Sequence, residues 1–593
     1  MLTVDKTFSV KQAIAVTGNQ ITAVGTNDEV MKMAGPNTQV LDLKGRTVIP
    51  GLMDTHLHYT GLDYGGNLSE PERAEYRIDW RGVRTKEDVL NQIKGIIAKY
   101  KIPKGEWLLF QNELSFMGEG NESTEIQGKI LFQELNRWEL DKAAPDNPVI
   151  MSEGIPQYNG LLLNGVAMDI LWKNYGDFIK KNGRYWIDSA GRPEGHIESV
   201  ATRPIMMRYM PHPKPEVLAP LFRMVQEDLV SIGQTVDSGR YPQWRVEGLK
   251  MLRQQGKLIQ RQAYGWEDEF GMIQNMDELK KYKDQIGAGD DMIWITSVAP
   301  SSVDGSGSRM CTNTQKHMTG AIDSLYPMGQ CYQDSEFNGA AGRSAKISAN
   351  YYRDWIMASA KHGVRFANTH MAGDRSVNEF LKMVADAQKQ FGPNSTKTWG
   401  SDHCNMVNPA DLPQAAKLGV FFSCQARIGG EEFAREYGEK MANLYPAPVK
   451  TMFKLGINVS MEGEGGRGWD GIERLITRKD AKGKVWSPQE RLTREEALIM
   501  ATRNGANYIL RGNKLGTLET GKLADIVVLD KDYMTIPEDT IHTIEPQVTV
   551  LDGKIVFVHP TFSKEYNLRP EGAVISTTKE LRARRNGQAG GGG

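Results

Sequence analysis

Cysteine is scarce in this chain, and neither sign of charge prevails. Four cysteines occur among 593 residues, Cys311, Cys331, Cys404 and Cys424, and none stands in a Cys-x-x-Cys pair. We therefore expect buried free thiols rather than a thiolate metal site or a disulfide framework. The 72 basic and 73 acidic residues nearly cancel, which disfavours binding to nucleic acid or to an anionic membrane surface.

Long apolar runs are also missing. No stretch is long enough to cross a bilayer, and the opening MLTVDKTFSV lacks a basic segment followed by an apolar one. We therefore expect a cytoplasmic protein; a signal removed before residue 1 would instead make it periplasmic or secreted. No Gly-x-Gly-x-x-Gly follows a first strand, so a dinucleotide-binding fold is disfavoured.

Both ends of the chain show short apolar runs separated by turns. Gly18-Asn19 stands between two such runs, and Asp552-Gly553 separates the last two. These dipeptides are typical of hairpins. We predict that residues 1–50 and 511–562 together form one small β-sandwich domain. A polar tail, 563–593, should then be mobile or wrap a neighbouring subunit.

The middle of the chain alternates strand-like and helix-like segments. Residues 148–151 and 420–423 have the apolar composition of buried strands, and residues 494–501 have that of a helix. Alternation over several hundred residues is typical of parallel α/β proteins. We predict a (β/α)8 TIM-like barrel over residues 51–510, because the candidate ligands follow strands, where barrel active sites lie.

The most informative stretch is PGLMDTHLH, residues 50–58. It follows an apolar run rich in β-branched residues. Because alternate side chains of a strand point to the same face of the sheet, we expect His56 and His58 to project in the same direction. Neutral imidazole nitrogen is a ligand for zinc and iron. The chain has only 10 histidines, and two others, His370 and His403, also follow strand-like runs.

These motifs resemble the amidohydrolase superfamily, and most of all its amidohydrolase-3 branch, which includes N-substituted formamide deformylase-like enzymes. The resemblance covers nearly the whole chain. The matching segments are residues 50–58, 140–149, 369–375, 402–420 and 503–525. Any one of them is moderately specific, whereas five in the family's order are much more so.

The resemblance implies a metal-dependent hydrolase that cleaves a non-peptide C–N bond, an amide or N-acyl group, in a small molecule. His56 and His58 would be metal ligands. His370 and His403 would be ligands as well, or would orient the substrate. A carboxylate after strand eight would act as general base and then as general acid.

Two departures from the family pattern bear on mechanism. The Asp that members usually carry after strand eight is replaced by Glu464, with Glu462 as the second candidate for the general base. The strand-four lysine that bridges two metals in many members is absent from residues 296–303. Because two unbridged cations repel, we expect one divalent metal, zinc in preference to iron or manganese.

Further candidates for substrate binding, or for support of the ligands, are Asp237, Asn159, Asp374 and Glu462. The altered acid and missing lysine keep a lyase, decarboxylase or deaminase open as alternatives. A barrel that binds a metal or ligand without catalysis is a third reading, disfavoured because packed imidazoles without partners are costly to bury. Substrate identity and a homo-oligomeric state stay open, since barrel specificity resides in loops.

Overall fold

The elements of secondary structure come from a computed structural model. It describes residues 1–57, 67–79, 82–112, 125–126, 129–130, 134–153, 160–267, 269, 271–300, 303–304, 310–313, 350–463, 468–570 and 572–581. Among the described helices, none combines the length and the apolar composition that crossing a membrane requires.

The strands carry labels in chain order. They are β1 (Ala13–Thr17), β2 (Gln20–Gly25), β3 (Val48–Pro50), β4 (Leu52–Asp54), β5 (Leu108–Asn112), β6 (Glu125–Ile126), β7 (Lys129–Ile130), β8 (Val149–Glu153), β9 (Leu161–Leu163), β10 (Arg184–Ile187), β11 (Pro193–Glu198), β12 (Gln234–Tyr241), β13 (Arg261–Trp266), β14 (Ile293–Val298), β15 (His370–Met371), β16 (Gly400–His403), β17 (Phe421–Gln425), β18 (Val459–Glu462), β19 (Ile526–Leu529), β20 (Pro546–Leu551) and β21 (Lys554–Val558).

The α-helices are labelled in the same way. They are α1 (Asn27–Met31), α2 (Glu70–Arg73), α3 (Lys86–Tyr100), α4 (Arg137–Ala143), α5 (Gly165–Asn182), α6 (Pro215–Ser231), α7 (Gln243–Gln254), α8 (Asn350–His362), α9 (Asp374–Phe391), α10 (Leu412–Leu418), α11 (Glu431–Tyr437), α12 (Glu439–Ala442), α13 (Val449–Lys454), α14 (Gly468–Thr477), α15 (Arg494–Ala501), α16 (Arg503–Tyr508) and α17 (Pro560–Tyr566).

Two four-stranded parallel sheets form the centre of the molecule. Their orders are β14-β13-β12-β4 and β15-β16-β17-β18. Val298 at the end of β14 pairs in parallel with Phe366, which precedes β15. At the other edge the Thr55 N–H donates to the Met461 carbonyl of β18 (3.0 Å). With helices between successive strands, this is a TIM-barrel-like α/β fold.

The helices between these strands pack through one apolar face. In α9 the buried side chains include Val377, Phe380, Leu381 and Val384, which recur at the spacing of one helical face. The Phe380 ring stacks at 5.3 Å on Phe366, beside the sheet. Burial of this face ties the helix to the segment that leads into His370.

Both ends of the chain contribute strands to one antiparallel sheet. Strand β3 from the N-terminal part joins β19, β20 and β21 in an antiparallel sheet. The hairpin β1–β2 attaches to the C-terminal part, where the Ile21 N–H donates to the Lys522 carbonyl (2.8 Å). Arg261 of β13 binds Asp525 through two 2.8 Å contacts and so links this sheet to the parallel strands.

The described part of the segment from residue 563, for which the sequence predicts a tail that is mobile or wraps a neighbouring subunit, packs against the body of the same chain. Leu568, Ala573, Ile575 and Leu581 are buried, and the Ala573 N–H donates to the Val556 carbonyl of β21 (2.6 Å). The segment is polar on average, but these isolated apolar residues are enough to fix it against the body. Residues 582–593 lie outside the described residues.

Candidate active site

Three histidines meet where the parallel strands end. His56 follows β4, His370 begins β15 and His403 ends β16, and all three are buried. The ring centroid of His403 lies 4.5 Å from that of His56 and 3.9 Å from that of His370. The structure therefore brings together three of the four histidines that the sequence singles out. The fourth, His58, lies outside the described residues.

A carboxylate holds the ring of His56. Oδ2 of the fully buried Asp402 contacts Nδ1 of His56, and the Tyr508 hydroxyl donates to the other carboxylate oxygen of Asp402. A carboxylate at Nδ1 selects the tautomer in which Nε2 can coordinate a metal. Asp402 therefore fixes the orientation of the His56 ring by direct contact, although the two residues are 346 apart in sequence.

A second carboxylate holds His403 in the same way. Glu462 ends β18 and is fully buried. Its Oε1 accepts the backbone N–H of His403, and its Oε2 lies 2.9 Å from Nδ1 of the same histidine. The side-chain amide of Gln425 also lies 2.8 Å from this Nδ1. Backbone and ring of His403 are thus both fixed by one glutamate.

The surroundings of His403 keep its imidazole neutral. Burial lowers its pKa well below the usual value, and the positive charges of Arg240 and Arg427 lower it further. Metal ions bind the neutral form of histidine, so a lowered pKa keeps the ring in its ligand form over a wider pH range.

The donor set fits a divalent metal. Ligand atoms of His56, Asp402 and Glu462 all lie within 4.8 Å of one another. Two imidazoles backed by carboxylates at Nδ1 form the arrangement that supports metal-ligating histidines in many proteins. His370 is the third imidazole of this set and contacts the His403 ring.

The backbone at His403 departs from regular strand geometry. His403 has φ of 85° and Cys404 has φ of 54°, the left-handed region that non-glycine residues rarely enter. In a regular strand Asp402 and His403 would face opposite sides. The left-handed conformation of His403 removes that alternation and allows both side chains to contact His56.

Cys404 and Cys424 form a disulfide that joins β17 to the residue after β16. The prediction of free thiols is therefore wrong for this pair. The two cysteines are 20 residues apart in sequence and meet only because β16 and β17 are parallel neighbours, with His403 opposite Cys424. Such a contact leaves no spacing motif in the sequence.

We expect the Cys404→Ala/Cys424→Ala variant to be less stable and less active. A disulfide closing a loop of this size contributes about 3 kcal/mol to stability, and its loss also frees the left-handed turn that positions His403. Denaturant unfolding should show the stability loss, and titration with a metal chelator should show weaker metal binding at a temperature where the variant is folded. Unchanged stability and metal affinity would contradict a positioning role for the disulfide.

A polar layer lies beneath the histidines. The Thr55 hydroxyl contacts those of Ser423 (2.6 Å) and Ser460 (2.8 Å). On β14, where the resemblance to the family would place a bridging lysine, the hydroxyl groups of Thr296 and Ser297 each donate to Asn368 Oδ1 at 3.0 Å. Small hydrogen-bonded side chains thus fill the strand-four side of the site.

The remaining predicted site residues have different positions. Oδ2 of Asp237 accepts hydrogen bonds from Tyr241 (3.0 Å) and from Arg245 of α7 (3.2 Å). Asp374 begins α9, and its Oδ1 accepts the N–H of Asn313 (2.9 Å). These contacts anchor neighbouring segments of the chain. Asn159 and Glu464 lie outside the described residues.

Sequence reasoning missed a buried carboxylate behind His370. Asp304 accepts hydrogen bonds from the N–H groups of Ala372 and Gly373 and from the Ser376 hydroxyl, each at 2.8 Å. Its Oδ1 lies 4.0 Å from Nε2 of His370. Burial raises the pKa of Asp304 to about 6 despite these hydrogen bonds. The sequence offered only an Asp-Gly pair here, which is equally typical of an ordinary turn.

Comparisons with known proteins agree on one family. A model of the amidohydrolase family, of the amidohydrolase-3 type, matches residues 39–557. An N-substituted formamide deformylase of Arthrobacter pascens is 23% identical over 576 residues, covering 93% of this chain and 96% of that protein. A putative amidohydrolase of Bacillus subtilis is 20% identical, covering 92% of this chain and 96% of its own length.

The fold also has a counterpart among solved structures. An uncharacterized metal-dependent hydrolase from Pyrococcus horikoshii superposes with a TM-score of 0.53 at 18% identity, over 89% of this chain and 95% of that one. A likeness at this identity bears on the fold alone, and it agrees with the TIM-barrel-like arrangement of the parallel strands.

Proposed function

Because the chain belongs to the amidohydrolase family, we propose that it hydrolyses an amide or N-acyl bond in a small molecule with the help of one bound divalent metal. Family membership, which the sequence motifs predicted, makes the protein an amidohydrolase-type hydrolase acting on C–N bonds other than peptide bonds. The observation that carries the proposal is the pair of carboxylate–histidine contacts, Asp402 with His56 and Glu462 with His403.

The proposed ligands are His56, His58, His370 and His403. Zinc is preferred over iron or manganese, because it accepts neutral imidazole and shows no redox chemistry. One metal is favoured over two, because residues 296–303, where the resemblance to the family places the bridging lysine, contain no lysine.

The bound metal and the side chains of the protein would have separate roles in the reaction. A bound divalent metal lowers the pKa of water and polarises a carbonyl carbon. We propose Glu464 as the general base that takes the proton of the attacking water and then delivers it to the leaving nitrogen. Glu462 would hold His403 in place instead, since both of its carboxylate oxygens already contact that residue.

The wider architecture is part of the same proposal. We propose that the eight parallel strands β4 and β12–β18 close into a barrel within residues 51–510. Residues 1–50 and 511–562 would form the small β-sandwich. The hydrogen bonds of Val298 and Thr55 at the two sheet edges support closure.

Disulfides are rare in the cytosol, so the Cys404–Cys424 bond favours the periplasmic or secreted alternative over a cytoplasmic location.

A substrate panel tests the proposed function. N-substituted formamides come first, because the formamide deformylase of Arthrobacter pascens matches nearly the whole chain, followed by N-acetyl amines. We expect release of formate or acetate that a chelator abolishes and that zinc restores. Uptake of ¹⁸O from labelled water into the released acid separates hydrolysis from a lyase reaction. Turnover that is indifferent to chelation would contradict the metal-dependent mechanism.

A further inference from the structure

Tyr508 approaches the candidate active site from a helix, whereas the three histidines lie on or next to strands. It is the last residue of α16 and is fully buried. The Arg365 guanidinium lies 5.2 Å from the centroid of its ring and donates to its carbonyl oxygen (2.8 Å). Nε1 of Trp294 on β14 donates to the carbonyl oxygen of the next residue, Ile509 (2.8 Å). The ring and the helix end are therefore both held against the strands.

The Tyr508 hydroxyl group joins two segments that lead to candidate ligands. It donates to Oδ1 of Asp402 on β16 and accepts the backbone N–H of Asn368 (3.2 Å), two residues before His370. The other oxygen of Asp402 contacts Nδ1 of His56. One hydroxyl group thus connects the carboxylate that orients His56 to the segment that leads into His370.

Gly400 makes room for this hydroxyl group. It begins β16, two residues before Asp402. A Cβ atom at Gly400 would lie 2.7 Å from the Tyr508 hydroxyl oxygen, which is closer than non-bonded atoms normally approach. Any larger residue would displace either the hydroxyl group or the strand, so Gly400 and Tyr508 fit together as a pair.

The hydrogen bond from Tyr508 gives the Asp402 carboxylate a second fixed point. A carboxylate turns easily about its last side-chain bond, so the contact of one oxygen with His56 leaves the plane of the group undefined. A donor at the other oxygen fixes that plane, and it also satisfies an oxygen whose burial without a partner would be costly. Groups behind a ligating histidine set the orientation of its ring and thereby the metal affinity.

We propose that Tyr508 is a positioning residue of the metal site: its hydroxyl group fixes the Asp402 carboxylate and, through that carboxylate, the ring of His56. The inference rests on the proposed function, because it takes His56 as a metal ligand. It assigns Tyr508 no contact with the substrate. Loss of the hydroxyl group should therefore weaken metal binding and leave KM nearly unchanged once the site is saturated with metal.

Tyr508→Phe removes the hydroxyl group and keeps the ring. We expect zinc affinity, measured by competition with a chromophoric chelator, to fall about tenfold, the lower end of the range for groups that support metal ligands. The visible absorption of the Co²⁺-loaded protein reports on ligand geometry and should change. Excess zinc should restore most of kcat.

Tyr533→Phe is the matched control. Tyr533 is also fully buried, and its hydroxyl group donates to the carbonyl oxygen of Arg494 (2.7 Å) on α15, a helix that carries none of the candidate ligands. We expect a comparable loss of stability, with zinc affinity and the Co²⁺ spectrum unchanged. Equal effects of the two substitutions on zinc affinity would overturn the proposal.

A double-variant comparison tests whether Tyr508 acts through Asp402. Asp402→Asn should itself weaken zinc binding by about 10- to 100-fold. In that background Tyr508→Phe should cause little further loss, because the group that it positions is already altered. Losses that add in full, or unchanged zinc affinity in Tyr508→Phe alone, would overturn the proposal.

These measurements separate failure of the inference from failure of the proposed function. If the protein binds zinc but hydrolyses no compound of the panel, the proposed function fails and the affinity comparison still decides on Tyr508. If it binds no metal, NMR of protein labelled with ¹⁵N-histidine decides, with the His56 signal assigned from His56→Ala. We expect His56 protonated at Nδ1 in the wild type and a mixture of tautomers in Tyr508→Phe; the same tautomer in both would overturn the positioning role.

Discussion

Replacing His403 with alanine should abolish metal-dependent hydrolysis, lowering kcat by about 10³-fold or more. The ring of His403 contacts the rings of both His56 and His370. The substitution therefore removes the imidazole that contacts both of the other two. It also leaves the Glu462 carboxylate buried without its ring partner, which is costly. The measurement is kcat on the best substrate of the panel, together with metal content after dialysis.

His196→Ala is the matched control. His196 is buried and its Nδ1 contacts a carboxylate, that of Glu194, but it lies on β11, where its ring stacks on Trp186 at 4.3 Å. We expect this variant to keep its metal and its activity even if its stability falls. Retention of the metal and of full activity in His403→Ala would contradict the placement of the active site.

Glu464→Gln and Glu462→Gln should fail in different ways. If Glu464 is the general base, Glu464→Gln lowers kcat by about 10²- to 10⁴-fold while the metal stays bound. Glu462→Gln replaces one of the two acceptors that hold His403 with a donor, so metal affinity should fall by about 10- to 100-fold. Kinetics at saturating metal and chelator titration separate the two effects.

Excess zinc gives this comparison a second readout. It should restore much of the activity of Glu462→Gln, because that variant binds the metal more weakly but retains the base. It should not restore Glu464→Gln. The reverse pattern would exchange the two assignments and make Glu462 the general base.

The order of strands and helices along the chain could be predicted from the sequence, because the signals for these elements are local. Apolar runs, turn dipeptides and the position of histidines after apolar runs all depend on a few consecutive residues, and these signals singled out His56, His370 and His403, whose rings lie together in the structure. Parallel strands bring their ends to one edge, so the clustering of these three residues followed from the strand assignments.

The supporting contacts could not be read in this way. Asp402 and its neighbour His403 both contact His56, and the left-handed backbone conformation of His403 that allows this is not anticipated by a regular strand pattern. The Cys404–Cys424 disulfide depends on the register of two strands. The packing of Leu581 depends on long-range burial in a segment whose average composition is polar.

The most direct test of the central claim is elemental analysis of protein purified without added metal, beside His56→Ala. The proposed site predicts about one zinc, iron or manganese ion per chain, lost in the variant. Two ions per chain would contradict a single-metal site and would call for a bridging ligand other than Thr296 or Ser297. No bound metal, even after supplementation, would contradict the metal-dependent mechanism itself.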